Sequence, residues 1–510
     1  MRYMSSNEIR KTWLDFFKDH QHVIIPSSPL VPKNDRTLLW INAGVAPLKK
    51  YFDGSVTPPA KRLTNIQKCI RTNDIENVGL TARHHTFFEM MGNFSIGDYF
   101  KVEAIKLASI LLFSDKYFGF PKNLIYITYY PADTICYEQW LKEGLSSDHL
   151  IPLESNFWEI GPGPSGPDTE VFFDRGEAYD ARGSELIAND LENDRFIEIG
   201  NIVFSQFNAN PKVDRSLYLE LPHKNIDTGF GLERFACVLQ GTKTNFETDL
   251  FYPIIEEVER LTKIKYQGQM AFKVIADHIK ALSMAIADGA LISNVGRGYV
   301  LRRILRRALN YGHQLNLNEP FLYKLVDVTC EIMKTFYPDI QTKVEIVKEI
   351  IKNEEKQFLK TLLEGENIFN SYIENHDFID GDFAFKLYDT YGFPIELTKE
   401  MAISKNLKID LDGYQKHLIK QKEDSRNNKK QLGMESQNAE YLNFWEKSKF
   451  LGYDTYETSS KVIKIFPAGI VLDVTPFYAT SGGQVCDKGR INNIPIQEVT
   501  KLPNGQFLHH

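Results

Sequence analysis

Apolar positions along this chain recur with two periods, near 3.6 and of 2 residues, which divide it into a strand-rich first part, a helical middle and a strand-rich end. From Ser5 to Asp19, Ile9, Trp13, Phe16 and Phe17 share one face of a predicted helix, with Arg10, Lys11 and Lys18 facing away. The segment from His22 to Pro32 is extended and bounded by prolines. Two further extended runs follow, one ending at Arg71 and one beginning at Thr86. In the second, Phe87, Glu89 and Met91 fall on one face, and Phe88, Met90 and Gly92 on the other. Together they predict an antiparallel hairpin whose polar loop far exceeds the usual length of about two to five residues, and such excess is functional or disordered.

Val102 to Phe118 reads as an apolar helix packed on the sheet, and Asn123 to Tyr130 as a buried strand. The glycines and prolines between Gly161 and Pro167 predict a shaped loop instead of a regular strand. Phe196, Ile197, Ile199, Ile202 and Phe204 mark Arg195 to Asn208 as a strand. Asn201 is a polar residue inside that run, so it either ties down a neighbouring strand or reads a ligand. Ser216 to Leu221 predicts a strand and Leu232 to Gln240 a helix stopped by Gly241, with D-T-G-F-G between them. Gly229 and Gly231 let backbone approach a ligand closely, although a lone G-x-G is a weak signal.

From about Thr242 the pattern is helical. Arg302, Arg303, Arg306 and Arg307 fall within about 140° of a helical wheel, opposite Leu301, Ile304, Leu305, Ala308 and Leu309. The segment supplies no acids at i,i+4, so the stripe reads as a track for a phosphate backbone in preference to a solvated, acid-paired face. Lys343 to Ile373 predicts a long helix with Ile346, Ile350, Phe358, Leu362 and Phe369 inward; Lys386 to Thr398 ends one helix and opens the next; Gly413 to Leu432 is a charged helix. Short strands begin near Phe450.

A chain of 510 residues is long enough for two to four domains, and 43% apolar with 25% charged residues is ordinary for a soluble globular protein. No apolar run reaches the roughly 18 to 20 residues that span a bilayer. The five scattered cysteines fit a reducing cytosol and neither a disulfide frame nor a cysteine zinc site. A net charge of -7 means that any nucleic-acid contact has to come from a local patch. Chemistry concentrates at the hairpin: Arg71 stands at the loop base with a fork suited to phosphate, Arg83, His84 and His85 at its far end, and Phe88 offers a ring to a base.

The wording of these segments adds a resemblance. RHHTFFEMMGNFSIGDYFK (Arg83 to Lys101) closely resembles the second signature motif of alanyl-tRNA synthetases, which are class II aminoacyl-tRNA synthetases. TLLWINAGVAPLKKYFDG is similar to their first motif, and D-T-G-F-G-L-E-R with its flanking strand and helix to their third. GRGYVLRRILRRAL resembles the helical tRNA-binding part, and VLDVTPFYATSGGQVCDKG the opening of the editing region.

The resemblance implies an α+β fold: a class II antiparallel-sheet catalytic domain over 1-241, a helical tRNA-recognition domain over 242-448 and an incomplete β-barrel over 449-510. It implies an alanine-tRNA ligase that uses ATP with Mg2+ and needs no zinc within this chain. Its partners would be alanine and tRNA-Ala, its compartment the cytoplasm, and its state a monomer without the family's C-terminal dimerising part. The editing centre would lie beyond His510, so serine and glycine would be mischarged without correction, since small side-chain differences are discriminated only about 10- to 200-fold.

Position by position, Arg71 would hold the α-phosphate and the alanine carboxylate. His85, Trp158, Gly231 and the strand backbone at Ile199 and Gly200 would contact the nucleotide, with the adenine between Phe88 and Arg234. Asn201 and Asp227 would hold the alanine ammonium beside Trp158. Asp389 and His313 would read the acceptor-stem G·U pair, with the four arginines along the RNA. The sequence departs from the family in lacking a Gly-Gly-Lys insertion after Arg71, in Gly200 for a usual tryptophan, in Asp168 for a usual small residue, and in His313 for a usual asparagine. The alternatives are an inactive tRNA-binding paralogue, which Arg71, Asp227 and Arg234 argue against, and a free-standing editing hydrolase, whose metal-ligand histidines are not seen here.

Overall fold

The computed structural model describes residues 1–510 other than 33–37, 74, 160–162, 211, 295, 421–443, 445, 447, 480–485 and 503–505, and for Glu396 the backbone alone. The chain forms two compact units, residues 1–371 with 391–397, and 372–390 with 398–510.

The first unit is built on one sheet of strands β1 (Val23–Ile24), β2 (Arg62–Ile70), β3 (Phe87–Ile96), β4 (Ile125–Tyr129), β5 (Leu150–Pro152), β6 (Phe157–Trp158), β7 (Gly163–Asp174), β8 (Phe196–Ala209) and β9 (Leu219–Gly231). Their order is β1-β2-β3-β9-β8-β7-β4-β5, with β6 beside β7. All pairings are antiparallel except β1–β2 and β4–β5. The expected α+β class holds.

Helices α1 (Ser6–Asp19), α2 (Lys49–Phe52), α3 (Lys101–Phe113), α4 (Thr134–Lys142), α5 (Glu185–Ala188) and α6 (Leu232–Gln240) accompany the sheet. The Ser5 hydroxyl accepts from Glu8 N–H while the Glu8 carboxylate accepts from Ser5 N–H, a reciprocal cap that fixes where α1 begins. Its buried face carries Ile9, Trp13, Phe16 and Phe17, as the periodicity predicts. Arg10 is a correction: it is 1% exposed, not solvent-facing, and its guanidinium forks onto Glu89 of β3. A helix lying across a sheet buries a wider arc than an apolar stripe marks, and the acid that admits the cation is distant in sequence.

Two readings of the sheet also change. Gly163 to Asp174 is a strand, not a shaped loop. Its glycine makes the pairing feasible, because a Cβ at Gly166 would lie 2.0 Å from the Phe204 carbonyl oxygen. The β7–β8 register shifts between Ser165 and Asp168, around Gly166 and Pro167, where proline offers no N–H to the ladder. The D-T-G-F-G stretch is the end of the long strand β9 and not a connection; α6 starts directly after it and stops at Gly241, left-handed with φ 64°.

The remaining helices of the first unit are α7 (Tyr252–Thr262), α8 (Met270–Ala287), α9 (Gly296–Gln314), α10 (Val326–Met333) and all but the last two residues of α11 (Val344–Ile373). In α11, Phe358, Leu362 and Phe369 are buried as predicted, but the first turns bury Val347 and Ile351 while Ile346 is 60% exposed. With apolar residues at 346, 347, 350 and 351, hydropathy alone leaves the phase open by one position.

The second unit holds α12 (Gly381–Asp389), while α13 (Ile395–Ser404) runs across the division. Residues 411–420 are helical, and the rest of the helix expected to Leu432 lies outside the described residues. Short strands end the chain, four of them in an antiparallel sheet over a core of Phe444, Phe466, Val471, Leu502 and Leu508. No described helix is long and apolar enough to cross a membrane.

Candidate active site

The β2–β3 hairpin runs in register from Arg62 opposite Ser95 to Ile70 opposite Phe87, and Arg71 N–H donates to Thr86 O at 3.0 Å. This places Arg71 at the base of the 71–86 loop. Its guanidinium lies 4.9 Å from the centre of the Phe88 ring, exposed, with Nε donating to the Asn42 carbonyl at 3.3 Å.

Strand alternation sets the rest. Glu170, Asn201 and Gly229 form one cross-strand row, and Asp168, Val203, Asp227 and Phe94 another two residues along. Rows two apart share a face. Phe88 and Met90 of β3, Asn201 of β8, Asp227, Gly229 and Gly231 of β9, and Asp168 and Glu170 of β7 therefore stand on one side of the sheet. Gly229 leaves room opposite Asn201, where a Cβ would press on the Asn201 amide oxygen at 3.0 Å and the Met90 sulfur at 3.1 Å.

A cavity of about 300 Å³ opens on this face, lined by Arg71, His85, Phe88, Gly200, Asn201, Gly231 and Arg234, and also by Arg83, Glu170, Glu198 and Asn245. Seven of the residues expected to hold ATP or alanine thus meet. Ile199 is fully buried by its side chain, leaving only its backbone available. Trp158 lies elsewhere. With Asp227, Val45, Lys49 and Val203 it lines a smaller cavity of about 70 Å³.

Arg71 and Asp227 accordingly do not open onto one cavity, as gripping a single small molecule would require of this form of the site. A third hollow of about 430 Å³ shares Arg71 with the first and Val45, Lys49 and Trp158 with the second. The two groups share a sheet face, with Met90 and Asn201 on the rows between them.

Electrostatics separate the carboxylates. Arg234 Nη1 donates to Glu198 O at 2.6 Å and to Glu198 Oε2 at 2.9 Å. Burial opposes ionisation of Glu198, yet Arg234, Arg71 and Arg83 hold its pKa below the ordinary value. Glu170 is pushed up to about 7 by burial and by the Glu198 charge, and Asp168 to about 8 by burial and by Glu170. Burial alone lifts Asp227 to about 7.

Glu170, Glu198 and Asn245 were not anticipated. Glu198 could have been noticed as a charge inside the apolar run that pointed to Asn201; Asn245, in the connection between α6 and α7, left no pattern.

The arginine helix differs from the open stripe expected. Arg302 pairs with Glu354 at 2.7 Å, Arg303 pairs with Glu76, and Arg306 lies 4.6 Å over the Phe358 ring and donates to Gly392 O. Arg307 is 5% exposed. The acids come from other elements, which a search along the helix could not find. His313 Nε2 lies 3.0 Å from Glu366, and Asp389 is an exposed residue at the end of α12 in the second unit. Among the described residues no cluster of three or more His, Cys, Asp or Glu is arranged to hold a metal ion.

Residues 8–510 match the family model of tRNA synthetases class II (A). Over 507 residues the chain is 61% identical to an alanine--tRNA ligase of Acholeplasma laidlawii, covering 99% of this chain and 60% of that one. It is 54% identical to the alanine--tRNA ligase of Onion yellows phytoplasma, covering 99% and 59%, and 53% identical to that of Streptococcus mutans, covering 100% and 62%. The chain thus spans about 60% of the length of the first of these curated relatives.

Proposed function

Because this chain belongs to the class II (A) tRNA synthetases, we propose that it activates alanine with ATP and transfers the alanyl group to the 3′-terminal adenosine of tRNA-Ala. The observation that carries this reading is a sheet face bearing Phe88, Asn201 and Asp227, with Arg71 at the hairpin base and Arg234 at the start of α6 lining the cavity over it. The alanine carboxylate attacks the α-phosphorus of ATP and expels pyrophosphate; the ribose hydroxyl of the RNA then attacks the alanyl-adenylate carbonyl and releases AMP. Neither step needs a protein nucleophile, so positioning and charge stabilisation are the protein's work.

Arg71 holds the α-phosphate and the alanine carboxylate, and the adenine lies between Phe88 and Arg234. His85, Gly200 and Gly231 bound the nucleotide. Asn201 and Asp227 hold the ammonium from the side of Trp158, which requires the adjoining hollows to join when substrates bind. Glu170 and Glu198 face one cavity with charges that repel, a donor pair suited to a divalent cation completed by substrate phosphates. Mg2+ held there supplies neutralisation of the triphosphate charge.

The domain division at 241 and 448, recognition of the acceptor stem by Asp389 and His313, a monomeric state and a cytoplasmic location complete the reading. Alanine-dependent exchange of labelled pyrophosphate into ATP is the test. Exchange with alanine supports it, and a purified chain that gives none, as an inactive binding paralogue would, overturns it.

A further inference from the structure

Arg307 faces inward. Its Nη1 lies 3.1 Å from His278 Nε2, and both side chains are buried. A guanidinium only donates, so Nε2 is the bare nitrogen and the ring proton sits on Nδ1. That proton points at Asp277 Oδ2, 2.8 Å away. Asp277, fully buried, uses its other oxygen to accept from Thr86 N–H at 2.9 Å, and the same oxygen lies 3.3 Å from His85 Nδ1. His85 in turn stacks on Phe251, ring centres 4.6 Å apart, and borders the nucleotide cavity. A continuous line of polar contacts therefore runs from the arginine helix α9, through α8, to a wall of that cavity.

The same helix also holds the hairpin loop. Arg307 Nη2 reaches the Val78 carbonyl at 3.5 Å, and Arg303, one turn earlier, pairs with Glu76. Both partners belong to the 71–86 loop that begins at Arg71. Two arginines four residues apart project from the same side of a helix, and here that side meets the loop.

We propose that Arg307 is a positioning residue for the nucleotide site: through His278 and Asp277 it fixes His85, and with Arg303 it clamps the loop that carries Arg71. This rests on the reading of the cavity as the ATP site and reassigns Arg307 from RNA contact to amino-acid activation. Pyrophosphate exchange uses no RNA, so a residue that touches only RNA leaves it unchanged.

Arg307→Gln is expected to raise the KM for ATP in exchange on the order of tenfold, as loss of a hydrogen bond to a charged group does, with a distinctly smaller rise in the KM for alanine, which is affected through Arg71 alone. Arg307→Lys keeps one donor toward His278 and should recover part of the loss. Asp277→Asn should act in the same direction, and combining it with His85→Ala should cost less than the product of the single effects, because both act through one ring. Unchanged KM for ATP in Arg307→Gln and Arg307→Lys, equal changes in both KM values, or multiplicative effects of Asp277→Asn and His85→Ala would each overturn the proposal. Should the unaltered chain show no exchange, the functional reading falls, and ATP affinity by titration calorimetry on the same variants decides the positioning role by the same ratios.

Discussion

Asp227 sits 9% exposed on the sheet face, and burial raises its pKa to about 7. On the proposed reading the alanine ammonium binds the ionised form of Asp227, so protons compete with it. The KM for alanine should rise as pH falls below about 7, approaching tenfold per unit, and Asp227→Asn should abolish that dependence while weakening alanine use by two orders of magnitude or so. Exchange kinetics between about pH 5.5 and 8.5 read both, and an alanine KM flat across that range would remove Asp227 from the role. Asp168 carries the opposite kind of consequence. Its pKa is raised to about 8, so between the unfolded value and that point the folded state holds the extra proton, and stability falls as pH rises. Asp168→Asn should therefore gain Tm relative to the unaltered chain by a few degrees between about pH 5 and 8; a difference independent of pH would contradict it. Strand period marked Asn201, whereas only motif wording singled out Asp227, whose stretch reads as a connection although it ends β9. The load on Asp168 was legible from neither, since desolvation depends on what β6, β7 and β8 place around it.

Glu89 shows the same division between pattern and packing for whole elements. Alternation along β3 placed it with Phe87 and Met91, and all three are buried. What neutralises it lies far off in the chain: Arg10 of α1 through two nitrogens, and the Tyr337 hydroxyl at 2.8 Å. Glu89→Gln leaves the Arg10 cation buried without its counter-charge and should cost about 3–5 kcal/mol; adding Arg10→Met should return much of it, and urea titration of both variants measures the difference. A double variant as unstable as the single would mean that the pair does not act as a unit. Local signals located α1, the hairpin and α6 with its glycine stop, because cap, period and terminator agree there. They failed where a neighbour decides: in the glycine-rich strand β7, whose close approach to β8 leaves no room for a Cβ at Gly166, and in the first turns of α11, where adjacent apolar pairs fit two phases. Gly166→Ala should accordingly lower stability by about 1–3 kcal/mol or more, measured by the same titration, and a neutral result would mean that β7 and β8 separate more readily than the register implies.

For the molecule as a whole, charge works against an RNA partner. The net charge is -7, and the arginines that would offset it locally are held by acids: Arg302 by Glu354, Arg306 within 3.9 Å of the same carboxylate, and Arg303 by Glu76. A phosphate reaching Arg302 or Arg306 has to displace Glu354, so part of the attraction is spent within the protein. Removing that acid while keeping its shape should release two cations at once. Glu354→Gln should bind tRNA-Ala several-fold more tightly at low salt, with the slope of log affinity against log salt steeper by up to roughly 0.9 for each phosphate newly engaged. Arg302→Gln should flatten the slope by about the same amount, whereas Arg307→Gln, whose side chain is turned inward, should leave it unchanged. Filter binding between about 50 and 200 mM salt measures all three. A Glu354→Gln chain with unaltered affinity and slope would mean that this pair braces α9 against α11 and that RNA is met by other residues, so the comparison of slopes separates a restrained RNA-binding face from a purely internal one.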